Sequence, residues 1–98
     1  MIDDVLNKIG LPVAYGRFME VTDPPFIIYM GAGQDTFQAD DKHYWKENSY
    51  RIEYYFANKD EEKESAIEEA LSEAGYIYEK SEDVYIDSED VFVIYYTI

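Results

Sequence analysis

The chain has no cysteine, one histidine, three prolines and only 8 basic side chains against 22 acidic ones in 98 residues. Each shortage excludes something. Without cysteine there are no disulfides, thiolate metal sites or thiol nucleophiles, so stability rests on ordinary packing, and a reducing compartment is favoured. With so few lysines and arginines and a formal net charge of −14, the chain repels phosphate backbones and anionic lipid, which argues against direct, specific nucleic-acid binding. No stretch approaches the ~20 apolar residues of a bilayer span. Met1-Ile2-Asp3-Asp4 also lacks the basic start of a secretory signal. The expectation is a protein that is neither membrane-bound nor exported. A length of 98 residues leaves no room for a second catalytic or cofactor module, so 1–98 reads as one domain.

Acidity alone would suit a disordered chain, but 47% hydrophobic and 17% aromatic residues, 11 of them tyrosine, supply a core. Ile2, Val5, Leu6 and Ile9 fall at i, i+3, i+4 and i+7, which predicts a short helix ended by Gly10 and Pro12. Val13 to Val21 reads as a strand with a bulge or close approach at Gly16, and Thr22-Asp23-Pro24-Pro25 reads as a turn. Phe26 to Met30 is apolar on both faces, as a buried central strand is, and Gly31-Ala32-Gly33 is expected to end it. Gln34 to Asn48 is polar and aromatic without a clean period, and at fifteen residues it calls for a hairpin or projecting arm.

Tyr50 to Ala57 alternates cleanly, with Tyr50, Ile52, Tyr54 and Phe56 on one face and Arg51, Glu53 and Tyr55 on the other. A longer helix over about 60–74 follows, with Asp60 as N-cap and Gly75 just past its end. Its core face is read as Ala66, Ile67, Ala70, Leu71 and Ala74, leaving Glu64, Glu68, Glu69 and Glu73 outward and largely unpaired. Tyr76 to Lys80 and Val84 to Ile86 are short extended pieces, and the uncharged Val91 to Ile98 reads as a mid-sheet strand. The sum is an α+β domain: a mostly antiparallel sheet, a short N-terminal helix and one longer helix packed on it.

Chemistry is hard to place on this sequence. His43 follows Asp40 and Asp41, but a metal centre of catalytic type usually needs at least three suitable ligands, so a solvated loop histidine is the plainer reading. Gly31-Ala32-Gly33 lacks the third glycine and the following helix of a dinucleotide loop. Ser49, Ser65, Ser72, Ser81 and Ser88 sit in no activated-nucleophile motif, and nothing marks two acids as flanking a cleft. The reading is no enzyme, with no catalytic, cofactor or metal residues. Tyr54 and Tyr95 are expected to be half-buried with their hydroxyls at the surface. Phe37, Tyr44 and Trp45 lie in the polar segment between strands and are the candidate contacts to another protein chain.

Several strings taken together resemble a known family. They are Leu11-Pro12-Val13-Ala14-Tyr15, Pro25-Phe26-Ile27-Ile28-Tyr29, Gln38-Ala39-Asp40 and Tyr50-Arg51-Ile52-Glu53-Tyr54-Tyr55. To these add Lys59-Asp60 with Glu64, Ile67, Glu68 and Leu71, then Tyr78-Glu79-Lys80 and Tyr85-Ile86-Asp87-Ser88-Glu89. The set is similar to the tail terminator, also called tail completion or minor tail protein, of siphophages and prophages of Gram-positive bacteria. The resemblance implies a hexameric ring that caps the tail tube and meets the tail-tube and head-connector proteins. It also implies a life in the host cytoplasm during assembly and then in the virion, at the head–tail junction. A neighbouring head-closure or adaptor ring protein is the alternative within phage. Outside it, an acidic DNA mimic that inhibits a nucleic-acid-binding protein is suggested by thirteen of the 22 acids falling between Asp60 and Asp90.

Overall fold

A computed structural model describes residues 2–38 and 44–98, and the side chains of 2–33 and 49–98. The fold is α+β. Helix α1 (Ile2–Asn7) leads into β1 (Val13–Tyr15), β2 (Phe26–Gln38) and β3 (Tyr44–Phe56). Helix α2 (Glu61–Glu73) is followed by β4 (Glu79–Lys80), β5 (Val84–Ile86) and β6 (Val91–Thr97). One six-stranded sheet runs β1-β2-β3-β6-β4, with β5 also on β6. Every pairing is antiparallel except β1 on β2.

The alternation in β3 decides which face is covered. Ile52, Tyr54 and Phe56 lie on one face and are buried, together with Ile27 of β2 and Ile94 and Tyr96 of β6. Ile2 and Leu6 of α1 and Ile67 and Leu71 of α2 close over them as one core. The limits of α2 follow the expected signals. Asp60 accepts from the amides of Glu62 and Lys63, and Gly75, at φ +88°, takes the left-handed conformation that ends the helix.

Three expectations need correction. The first strand stops at Tyr15 and does not run to Val21, because Gly16 turns the chain at φ +76° while its amide donates to Tyr29 O. Gly31-Ala32-Gly33 does not end β2. It forms a bulge, with the β2–β3 register shifting between Gly31 and Gln34, and the strand continues to Gln38. The other face of Phe26 to Met30 is also not buried: Phe26, Ile28 and Met30 are only half-covered there, because neither helix lies on that side.

The hairpin expected in the polar segment is present, and it is long. Beyond Met30 on β2 and Tyr50 on β3, the two strands pair only with each other among the described residues. They form a two-stranded ribbon that contributes to molecular extents of 51 × 26 × 25 Å.

Candidate functional site

Three features of the fold bear on function: the ribbon, the sheet face without helices, and a polar cluster beneath α2. Phe37 and Trp45 are register partners on the ribbon, and Gln38 pairs with Tyr44, so backbone pairing brings the three candidate contact residues to its outer end. Their side chains lie outside the described ones, and the Asp40-Asp41-x-His43 motif lies outside the described residues altogether. Among the described residues no group of three or more His, Asp or Glu is arranged to hold a metal. None of their helices is long and apolar enough to cross a membrane.

The helix-free face is an aromatic and apolar surface laid out in crosswise rows by the register. Phe26, Tyr55 and Val93 form one row, Ile28, Glu53 and Tyr95 the next, and Met30, Arg51 and Thr97 the third. Phe26 stacks on Tyr55 at 5.0 Å between centroids, and Phe18, from the 16–25 connection, meets Phe26 edge-on at 5.1 Å. The same connection leaves Met19 88% exposed and Val21 fully so. In the middle of this surface Glu53 is buried. It accepts from Arg51 Nε at 2.9 Å and from the Tyr55 hydroxyl at 2.7 Å. Burial, then this hydrogen bond, pushes the Tyr55 hydroxyl far above its ordinary value.

Sequence reasoning missed the polar cluster. Glu64 and Glu68 point toward the sheet, not away from it, and Glu64 is only 3% exposed. Lys80 Nζ lies 3.0 Å from Glu64 Oε1 and 3.0 Å from Glu68 Oε2. Lys59 Nζ lies 2.7 Å from Glu64 Oε2, a charge contact too poorly aligned to count as a directed hydrogen bond. Lys59 Nζ also lies 3.0 Å from Asp83 Oδ2, to which it donates a hydrogen bond. Glu68 also accepts from the Tyr96 hydroxyl at 2.9 Å and the Tyr78 hydroxyl at 3.2 Å.

Burial pushes the Glu68 carboxyl upward, but hydrogen bonds from Lys80, Tyr96 and Tyr78 and the Lys80 charge outweigh it and hold the group below its ordinary range. Lys80 is likewise raised: burial opposes its charge, and Glu64 and Glu68 more than restore it. The inward turn of α2 has a physical cause. The buried Tyr96 and the half-buried Tyr78 bring hydroxyls beneath the helix, and these need acceptors that alanines lack, so Ala66 and Ala74 are exposed while the carboxylates face in. The visible signal was Glu64, Ile67, Glu68 and Leu71 at i, i+3, i+4 and i+7, a stripe that includes two acids.

Tyr54 also departs from expectation. It is fully buried, and its hydroxyl reaches neither the surface nor a hydrogen-bond partner. Tyr95 is half-buried, as expected. The polar cluster is a hydrogen-bonded network of two lysines and three carboxylates, with each lysine bound to two of the carboxylates. No family model, curated protein or solved structure matches this chain.

Proposed function

We propose that the chain is a non-enzymatic virion assembly protein of the tail terminator type. Its subunits form a ring, hexameric by the resemblance, that caps the tail tube and joins it to the head. The observation that carries this reading is the ribbon of β2 and β3, which runs out from the sheet and whose outer edges pair with no further strand among the described residues. A two-stranded ribbon alone is marginally stable in water, and unpaired edges are templates for another strand. A closed ring satisfies both by pairing each edge with a neighbour, and it makes Phe37, Tyr44 and Trp45 anchors in that contact. The Phe26, Tyr55 and Tyr95 face adds the aromatic area typical of interface centres. The partners are further copies, the tail-tube protein and the head-connector protein. Exposed Glu61, Glu62, Glu69 and Glu73 on α2 suit a lumen that repels passing DNA.

The test is native mass spectrometry over a concentration series, with and without tail-tube protein, alongside tube length in an assembly reaction. Rings and a defined tube length are expected. A chain that stays monomeric and leaves tube length unchanged overturns the reading. The same exposed α2 carboxylates favour the DNA-mimic reading as second choice, and steeply salt-dependent capture of a basic nuclease would move it ahead.

A further inference from the structure

The connection from α2 to β6 has no fully buried residue between 72 and 92; Tyr76 and Tyr78 pack partly on the core, whereas 79–83 carries no apolar side chain. Its ladder is short as well, since β4 makes only the pairs Glu79 with Thr97 and Lys80 with Tyr96. Polar contacts hold 79–83 in place. Lys80 spans Glu64 and Glu68, the Tyr78 hydroxyl donates to Glu68, and Asp83 is held by Lys59. Ser81 completes the seam: its amide donates to Tyr95 O at 2.8 Å, and its Oγ accepts from the Tyr95 amide at 2.8 Å.

Beneath this segment lies the outer edge of β6, a strand with no charged residue and with Val93, Ile94 and Tyr96 buried. Such an edge pairs readily with any available strand unless it is covered. Segments that hold on by few apolar contacts open at lower free energy than the core they cover. The docked state of this one depends on charge, because Glu64 is nearly inaccessible and loses half its compensation if Lys80 leaves.

We propose that residues 79–83 form a charge-locked strap whose release turns the Tyr95–Thr97 edge of β6 into a docking edge for a strand from a second copy of this chain. The occupant follows from the fold. Each copy carries a ribbon whose outer edges pair with no further strand among the described residues, and each keeps the Tyr95–Thr97 edge closed under the strap. Strand addition of this kind joins backbone donors to backbone acceptors without requiring a particular side chain. The strap therefore prevents premature association. Its identification of the partner rests on the ring reading, but its opening does not.

The experiment is amide hydrogen exchange by NMR on the full chain. The Tyr95 amide faces the strap. The Ile94 and Tyr96 amides face β3, by the alternation that places the Ile98 amide on Tyr50 O. In Lys80→Met, Tyr95 exchange is expected to accelerate on the order of tenfold or more while Ile94 and Tyr96 stay unchanged. Wild-type protein brought to about 1 M NaCl should show the same selectivity, which keeps the test decisive if the variant folds poorly. A Tyr95 rate fixed in both, or one that moves in step with Ile94 and Tyr96, overturns the strap. Sedimentation velocity completes the test: Lys80→Met should self-associate at lower concentration than wild type. A variant with a fast Tyr95 amide that associates no more readily than wild type overturns the docking edge. Wild type that never forms rings with tube protein overturns the ring reading and leaves the exchange result standing.

Discussion

Glu68 accepts from two tyrosine hydroxyls and one ammonium, so each bond can be removed separately. Tyr96→Phe deletes the 2.9 Å bond but leaves Lys80 and Tyr78 in place, and it should cost about 1–2 kcal/mol in urea unfolding. A buried aliphatic at the same interface gives the contrasting scale: Leu71→Ala opens a cavity under α2 and should cost about 2–5 kcal/mol. The titrating groups set the pH dependence. Asp60, bonded by Lys63, and Glu68 sit below their ordinary values of 3.8 and 4.5. Their contribution is present at neutral pH and is lost as pH falls through those lowered values. Tyr54 is pushed up from 10.0 to about 12, chiefly by burial and then by the Asp60 charge. Its contribution is complete below pH 10 and is lost as the hydroxyl ionises on the way to 12. The urea midpoint should therefore be level from about pH 5 to 9 and fall on both sides, the acid limb flattening in Glu68→Gln.

Among the elements, α2 shows what local signals can and cannot decide. Asp60→Ala removes the acceptor for the Glu62 and Lys63 amides, so the helix should fray from its first turn and the melting temperature drop by a few degrees. That cap and Gly75 were readable in the chain because both act on the backbone within one turn. The helix's rotation was not, because two inward glutamates make sense only once Tyr78, Tyr96 and Lys80 arrive from strands that follow it. The β3 alternation was legible for the same local reason as the cap. The parallel pairing of β1 was not, since it depends on Ile27 and Gly16 amides reaching Pro12 and Tyr29 carbonyls across the 16–25 connection. Gly31-Ala32-Gly33 reads equally as a strand end or a bulge, and the partner strand decides between them. For the candidate contact residues, the backbone register adds that Phe37 and Trp45 are paired across the ribbon.

For the whole molecule, ribbon and domain separate two kinds of energy. Phe37→Ser with Trp45→Ser should leave monomer stability within about 0.5 kcal/mol, as substitutions away from a core do, while weakening self-association or tube capping. A large drop in monomer melting temperature would instead assign them to the core. The acidic surface should make association more favourable as salt rises, because copies carrying −14 each repel at low ionic strength. The long dimension has a practical result for weighing any assembly. The radius of gyration is 15.0 Å, whereas a compact chain of this length has about 12.6 Å. A single copy should thus migrate through a sizing column as a globule of roughly 160 residues, mimicking a partial dimer. Mass, not elution volume, is the measure by which its copies have to be counted.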